Sequence, residues 1–413
     1  MCGIVSDLVT PARPRFLLDG HDLARFLALF WLLVIVTYLG LILVRDLEDP
    51  DRLILRDYFC FHRAGELWRE GGTGYEQLDR TFANPPFVLP LAAAVSLLGP
   101  TGSFFACDLL CLLGVIVGML AIARIGGMDP RFRATALLTG IACPSLVFAL
   151  HLGQWSGLYV GLAGLVIYGW CEREDGLAGV AAGLLWIKPP LAVALIAVGT
   201  VSRPPRFTIA WLGTLAALLA VGLSLGGDVW SGFRVSMGSL VERHEDTPDS
   251  WRKQLTLYAF VRTLAARGAE DPAAGRGLAR AIAVSVALVL GAWGAVVRWQ
   301  ASGGWAELGR DRAVMVRLGS IALLATVALN LYLFYYDAAL VAIPTVFLFS
   351  HHVAWQSQPR WWGAVTCAAA VWIAQLLPML WNGGPNPIGP LATLWLVLEL
   401  TELHATLLRK AAR

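Results

Sequence analysis

The stretch FLALFWLLVIVTYLGLILV, residues 26–44, contains nineteen residues and not one charged side chain. A helix that crosses a bilayer needs about 20 predominantly apolar residues, so this stretch predicts a membrane span. Arg13, Arg15 and Arg25 precede it, and no cleavage site of small residues follows it. We therefore expect a start-transfer anchor that stays in the membrane rather than a cleaved signal peptide.

The rest of the chain is also rich in apolar runs. Hydrophobic residues make up 57% and charged residues 15% of the 413 positions, whereas a soluble domain averages about 25% charged residues. Such a chain cannot cover itself with polar surface, so lipid must be part of its solvent. Long apolar runs are residues 26–44, 102–123, 207–226, 279–297, 318–334, 361–380 and 390–408, and shorter runs are 134–150, 157–171, 176–187, 189–201 and 338–350.

The distribution of arginine sets the predicted topology. Short cytoplasmic loops carry an excess of Lys and Arg. With twelve spans and both termini cytoplasmic, the inner loops and tail hold Arg124, Arg131, Arg133, Arg173, Arg203, Arg206, Arg298, Arg310, Arg312, Arg317, Arg360, Arg409, Lys410 and Arg413. The short outer loops hold a single exception, Lys188. The sequence thus predicts an all-α, polytopic helical bundle that forms one integral-membrane domain over residues 1–413.

Two long segments, 45–101 and 227–278, become external loops in this topology. Within the first, the apolar run 85–99 is bounded by prolines, and counting it as a span would place the arginine-rich loops outside. We expect a juxtamembrane helix there instead. In the second, Trp230, Phe233, Met237 and Leu240 follow a helical spacing, which predicts an amphipathic helix on the membrane surface.

Composition excludes some classes of function. The net charge of +3 is small, and no basic run stands beside interleaved aromatic residues, so nothing indicates nucleic-acid binding. The seven cysteines show no metal-ligand spacing and are expected to be small buried hydrophobes.

Polar residues that could take part in catalysis or ligand binding collect in the predicted outer loops. Asp57 and His62 lie in the segment DYFCFHRAG, a dozen residues after the first span. A carboxylate at the mouth of a membrane cavity can act as a general base toward a hydroxyl group, although an ordinary loop aspartate or helix cap fits the local pattern equally well. Gln154 lies in the outer turn HLGQWS, residues 151–156, where polarity alone is unremarkable.

Two further candidates flank short apolar runs. Lys188 stands before Pro189 and Pro190, and a lysine at this depth suggests function because burying its charge is costly. It could bind a phosphate as a point charge, or it could extend to the interface. Tyr336 and Asp337 follow a late apolar run, where the aspartate could orient a hydroxyl or pair with Lys188. The simpler interpretation is an interfacial aromatic belt with a solvated acid.

The order of these motifs resembles glycosyltransferase family 87, a group of membrane enzymes with the GT-C architecture. The resemblance rests on the Asp57 segment, Tyr75, Asn84-Pro85-Pro86, Gly153-Gln154, Lys188-Pro189-Pro190 and Tyr336-Asp337, with Gln254-Leu255-Thr256 and Arg262 similar to an Asn-Gln-Ser loop of that family. It covers roughly residues 25–350. The chain departs from the family pattern at His62, where an aromatic residue is common, and at Tyr336, where a histidine is common.

The resemblance implies an activity. The expected enzyme is an inverting hexosyltransferase, mannosyltransferase-like, that moves a sugar from a polyprenyl-phosphate donor to a lipid or glycan acceptor during cell-envelope glycolipid biosynthesis. By resemblance, Asp57 is the catalytic base and Lys188 contacts the donor phosphate. Gln154, His62, Tyr336 and Asp337 contribute to donor or sugar binding. No cofactor is called for, since a lipid monophosphate is a less charged leaving group than a nucleotide diphosphate, and a divalent metal stays an open question.

Other classes remain open on the sequence alone. Twelve spans with both ends inside is also a common transporter or flippase layout, but no internal repeat is visible and the long spans carry no charge deep inside. A lipid-linked polymer ligase or acyltransferase is the other alternative. The expected location is the bacterial inner membrane, with the site facing the exterior.

Overall fold

The computed structural model describes scattered positions between 29 and 44, and then residues 56–76, 82–125, 130–246, 253–266, 275–300, 311–330, 333–350, 359–377 and 385–411. The described positions of the first predicted span are helical. The arginines before that span, and parts of both long external loops, lie outside the described residues.

The described chain is all helical, and its only strand-like contact is an isolated antiparallel bridge between Gln254 and Phe334. The helices are α1 (Tyr58–Arg69), α2 (Leu89–Ser96), α3 (Gly99–Arg124), α4 (Pro130–Ile141), α5 (Pro144–Leu152), α6 (Ser156–Glu172), α7 (Asp175–Leu184), α8 (Pro189–Ser202), α9 (Pro205–Ser224), α10 (Gly227–Asp246), α11 (Leu257–Ala265), α12 (Arg276–Gln300), α13 (Arg312–Leu329), α14 (Ala342–Ser350), α15 (Pro359–Ala374) and α16 (Ile388–Ala411). Short 3-10 turns at Pro86–Val88, Leu185–Ile187 and Tyr335–Val341 lead into α2, follow α7 and lead into α14.

The helices differ in length from the twelve predicted spans. Among the described residues, α3, α9, α12, α13 and α16 are long and apolar enough to cross a membrane, and α4 with α5 would make a sixth span with a 50° bend. Several other predicted spans are short apolar helices, such as Asp175–Ile187 and Pro189–Ser202. The protein is thus a helical membrane protein, and the described part of the chain holds five or six candidate spans by length and composition.

Proline and a buried amide explain the bend between α4 and α5. Pro144 starts α5, and because proline lacks an N–H and restricts the preceding residue, the helix cannot run through continuously. The Gln375 carbonyl oxygen, on a fully buried side chain at the end of α15, accepts from the N–H of Ser145 at 3.0 Å and from the Cys143 thiol at 3.3 Å. This side chain therefore takes over a hydrogen bond that the broken helix cannot make.

Glycines bring α3 and α6 into backbone contact. A Cβ atom at Gly118 would lie 2.7 Å from the carbonyl oxygen of Val160, and one at Gly161 would lie 2.6 Å from that of Gly114. Small residues permit such close approach between membrane helices. The contact fixes where α6 begins, and with it the outer turn that precedes α6.

The predicted helix is present as α10, and its location on the membrane surface stays a prediction. Trp230, Phe233, Met237 and Leu240 are each half-buried on it. The Phe233 ring packs at 5.7 Å from that of Tyr75, which belongs to the first external loop. This face of α10 therefore covers the first loop.

The expectation that the long spans carry no charge inside is wrong for the described residues. Helix α3 contains Asp108, whose Oδ1 is buried and has no hydrogen-bond partner in the part of the chain that the structure describes. Between α13 and α16, Arg317 forms a 3.2 Å ion pair with Glu399. Ionisable groups inside membrane helices are costly unless they face the interior of the bundle, which is where the Arg317 pair lies.

Candidate active site

Asp57 stands immediately before α1, and its side chain does not cap that helix. Instead, the carboxylate Oδ2 accepts a hydrogen bond of 3.1 Å from the Gln154 amide Nε2. Asp57 is half-buried, so a small ligand can reach it. The cap interpretation considered from the sequence is therefore wrong, and the carboxylate is held by another part of the chain.

The outer turn between α5 and α6 owes its shape to Gly153. This residue ends α5 in the left-handed conformation with φ of 66°, which a residue with a side chain adopts only at a cost. A Cβ atom there would also lie 2.5 Å from the Cβ of Tyr58. Glycine thus lets the turn press against the start of α1, which places Gln154 beside Asp57.

The same turn holds a second carboxylate. Ser156, two residues after Gln154, donates a 3.2 Å hydrogen bond from its hydroxyl to Asp337 Oδ1. The other oxygen, Oδ2, accepts from the backbone N–H of Phe334 at 3.3 Å. Because two residues span at most about 7 Å of chain, a single short turn anchors both Asp57 and Asp337.

Lys188 and Asp337 form an ion pair, as the sequence suggested. The Lys188 ammonium donates to both carboxylate oxygens at 2.6 Å. The aspartate side chain is fully enclosed, while 22% of the lysine side chain is exposed. Lys188 lies in the non-helical link between a 3-10 turn and Pro189, which directs its side chain away from either helix axis.

Aromatic rings complete the surroundings of the lysine. Its ammonium lies 5.0 Å from the ring centroid of Tyr336 and 5.7 Å from that of Tyr159, within the range of cation–π attraction. Tyr336 directly precedes Asp337, whose carboxylate is tied to that of Asp57 through Ser156 and Gln154 of the outer turn. The two carboxylates, the lysine and Tyr336 therefore belong to one site.

His62 faces a different direction. Its ring is 1% exposed, with Nδ1 at 2.8 Å from the Ser103 hydroxyl and Nε2 at 3.1 Å from Glu66. Burial lowers the pKa of His62 from its ordinary value, and the Glu66 carboxylate opposes that shift. The structure thus brings Asp57, Gln154, Lys188, Tyr336 and Asp337 together, while both ring nitrogens of His62 are occupied between α1 and α3.

Asn84 and Tyr75 support the site from outside. The Tyr75 hydroxyl donates to the backbone carbonyl of Asn84 at 2.6 Å. The 3-10 turn that follows starts at Pro86. These residues shape the first external loop, and their side chains make no described contact with the two carboxylates.

Two residues of the site escaped sequence reasoning. Ser156 was part of the polar outer turn, but nothing in the sequence showed that its hydroxyl meets Asp337. Tyr159 follows one helical turn later on the same face of α6, and this spacing was the available signal.

The described residues contain no group of three His, Cys, Asp or Glu side chains placed to hold a metal ion. What the site does offer is a half-buried carboxylate, an amide that orients it, and a lysine beside aromatic rings. This combination suits the activation of a hydroxyl group next to an anionic ligand.

Of the comparisons with known proteins, the one with protein-family models agrees with this chemistry. No curated protein matches the chain closely enough to serve as a relative. The model of glycosyltransferase family 87 matches residues 82–326, which include Gln154 and Lys188 but neither Asp57 nor Asp337. The match spans more than half of the chain, and on this basis the protein is a membrane glycosyltransferase that belongs to glycosyltransferase family 87.

Proposed function

We propose that this glycosyltransferase takes a hexose or pentose, with mannose the first candidate, from a polyprenyl-phosphate donor. It transfers the sugar to a hydroxyl of a lipid or glycan acceptor and inverts the anomeric carbon. Asp57 acts as the general base. The product is a glycolipid or glycan of the cell envelope.

One observation carries the proposal: Gln154 and Ser156, two residues of a single turn, bind Asp57 and Asp337 respectively. A base and a lysine-bearing anion site are thereby held at a fixed spacing by one rigid element. Catalysis of group transfer depends on such fixed positions for the nucleophile and the leaving group.

The proposed reaction follows from the position of Asp57. The acceptor hydroxyl gives its proton to the Asp57 carboxylate while its oxygen attacks the anomeric carbon. The bond between that carbon and the phosphate oxygen breaks, and the electron pair leaves with the lipid phosphate. Attack from the opposite face turns a β-linked donor into an α-linked product. Gln154 donates to Oδ2 of Asp57 at 3.1 Å and so orients the carboxylate that is proposed to take this proton.

Lys188 is proposed to contact the departing phosphate. An ammonium group has three N–H donors, and two of them are directed at Asp337. The third remains for a phosphate oxygen. Asp337 then acts as the group that holds the ammonium in place, and the rings of Tyr159 and Tyr336 limit its movement.

We also propose that the site faces the exterior of a bacterial inner membrane, in a chain with twelve spans and both termini in the cytoplasm. The support is the arginine distribution, which puts the loops near Arg173 and Arg203 inside. The shorter helices would then cross a locally thinned bilayer or lie tilted behind longer neighbours.

Thiol labelling tests this topology. Glu70 follows α1, at the end opposite Asp57, and Glu174 precedes α7, and both are exposed. In a background with Cys60→Ser, Glu70→Cys should react with a membrane-impermeant maleimide in intact spheroplasts. Glu174→Cys should react only after permeabilisation. Labelling of Glu174→Cys in intact cells, with Glu70→Cys protected, would reverse the orientation.

The activity itself can be tested with purified protein. We expect that incubation with a panel of radiolabelled polyprenyl-phosphate sugars and a bacterial lipid extract yields a new labelled glycolipid. Parallel reactions with EDTA determine whether a divalent metal is needed. Movement of the donor across vesicle membranes without transfer of its sugar would instead favour a flippase.

A further inference from the structure

Gln254 carries an unexplained pair of polar atoms. Its side chain is 1% exposed, and both the amide nitrogen and the carbonyl oxygen are buried with no hydrogen-bond partner among the described residues. Buried polar side chains are nearly always bonded, so an orphaned one requires an explanation. The proposed mechanism leaves this residue without a role.

The position of Gln254 links it to the site. It forms an antiparallel bridge with Phe334, and the N–H of the next residue, Leu255, donates to the Leu333 carbonyl at 2.8 Å. Directly opposed residues in an antiparallel pair point their side chains to the same face, with Cβ atoms about 5 Å apart. The Gln254 carboxamide therefore lies on the same side as the Phe334 ring.

Phe334 connects this amide to the lysine. Its ring is stacked on that of Tyr336, with centroids 5.7 Å apart. The Lys188 ammonium lies 5.0 Å from the centroid of the same Tyr336 ring. Gln254 thus lies next to the wall of the site at which the phosphate-linked sugar is proposed to bind.

The chemistry of a carboxamide limits the kinds of ligand that Gln254 can bind. One end donates and the other accepts, in a plane and at a fixed spacing. Two adjacent hydroxyl groups of a sugar ring offer the complementary pair. A site built to hydrogen-bond substrate hydroxyls presents polar groups that the protein itself does not pair, and the Gln254 carboxamide has no partner among the described residues.

We propose that Gln254 is a specificity-determining residue whose carboxamide binds two adjacent hydroxyls of the sugar that occupies the site. This inference rests on the proposed function. The diol belongs either to the donor sugar or to a sugar-like acceptor, and the two sources are separable by experiment.

Thermal stability gives the first test. Gln254→Met removes two unsatisfied polar atoms and keeps the length of the side chain, so the melting temperature should rise by about 1–3 °C. Gln375→Leu is the matched control, because the oxygen of that buried amide accepts two hydrogen bonds, although its nitrogen has no partner among the described residues, and its melting temperature should fall. A fall for Gln254→Met similar to that of Gln375→Leu would show a purely structural role and overturn the inference.

Kinetics with deoxygenated substrates give the second test. Loss of both hydrogen bonds should lower kcat/KM of Gln254→Met by roughly 10–100-fold. Donors that each lack one ring hydroxyl should show two adjacent positions where wild-type turnover drops and Gln254→Met loses little more. Gln375→Leu should retain the wild-type pattern. If only deoxygenated acceptors show this pattern, the diol belongs to the acceptor.

The outcomes separate the two proposals. An active wild type with an equally active Gln254→Met, unchanged across all deoxygenated substrates, contradicts the inference alone. A wild-type protein inactive on every lipid-phosphate sugar contradicts the proposed donor and removes the basis of the inference with it.

Discussion

Asp57→Asn is expected to reduce turnover by about two orders of magnitude or more. A positioned general base contributes typically 10²–10⁴-fold, and a sugar or inositol hydroxyl is a poor nucleophile without one. Asparagine keeps the shape of aspartate and can still bond to Gln154, whose amide lies 3.1 Å away. Folding and donor binding should therefore be preserved, so the loss appears in kcat.

The measurement is single-turnover transfer by purified variants with matched melting temperatures. Asp228→Asn is the control, because that aspartate is exposed in the first turn of α10 and lies outside the site. It should keep wild-type turnover. If Asp57→Asn in a well-folded preparation is as active as Asp228→Asn, the base is another group, and Asp337 is the next candidate.

The ion pair of Lys188 and Asp337 should dominate the stability of the site. Asp337 is fully enclosed, so Lys188→Met leaves an uncompensated buried carboxylate, and Asp337→Asn leaves a largely buried ammonium without its counter-charge. Removing one partner of a buried pair typically costs about 3–5 kcal/mol. Each single variant should therefore unfold at a clearly lower temperature.

The double variant Lys188→Met with Asp337→Asn separates stability from function. It removes both charges, and asparagine can still accept from the Phe334 N–H, so stability should largely return. Transfer should stay low, because the proposed phosphate contact is gone. Full activity in the double variant would contradict the assignment of Lys188 to the donor.

Arg312→Met provides the matched control for these charge changes. Arg312 pairs with Glu172 at 2.7 Å, but 53% of its side chain is exposed. An exposed pair contributes about 1 kcal/mol or less. A loss of stability in Arg312→Met as large as in Lys188→Met would mean that burial does not explain the difference.

The chemistry of the site was predictable from the sequence, whereas its geometry was not. Asp57, Gln154, Lys188 and Asp337 stood out because polar residues next to apolar runs are costly and therefore informative. The contact between Gln154 and Asp57 joins residues 97 positions apart. It depends on a glycine turn against Tyr58, and periodicity cannot reveal a tertiary contact of this kind.

Hydropathy also could not determine where each membrane helix begins and ends. The run 318–334 predicted one helix, but α13 begins earlier, at Arg312, and ends at Leu329. Its first turn is capped by the Asp311 side chain, which accepts from Ala313 N–H at 2.9 Å. Apolar composition indicates which residues can be surrounded by lipid or by the protein core. Caps, prolines and buried polar contacts decide where each helix begins and ends.

Gln254 is a second case in which the sequence alone was not sufficient. In the sequence it was part of a family-like loop, and no local pattern indicated that its amide would be enclosed without partners. Only the bridge to Phe334 places it beside Tyr336 and the lysine. The test of Gln254→Met, in which stability should rise while sugar discrimination is lost, is therefore one that the structure suggests and the sequence alone could not.

Direct comparison of donors tests the central claim most sharply. Purified protein would receive the same radiolabelled sugar either on polyprenyl phosphate or on a nucleotide diphosphate, with the same lipid acceptor extract. Our account predicts a labelled glycolipid from the polyprenyl-phosphate donor, formed about 100-fold or more slowly by Asp57→Asn, and none from the nucleotide sugar. Transfer from the nucleotide sugar alone would contradict it.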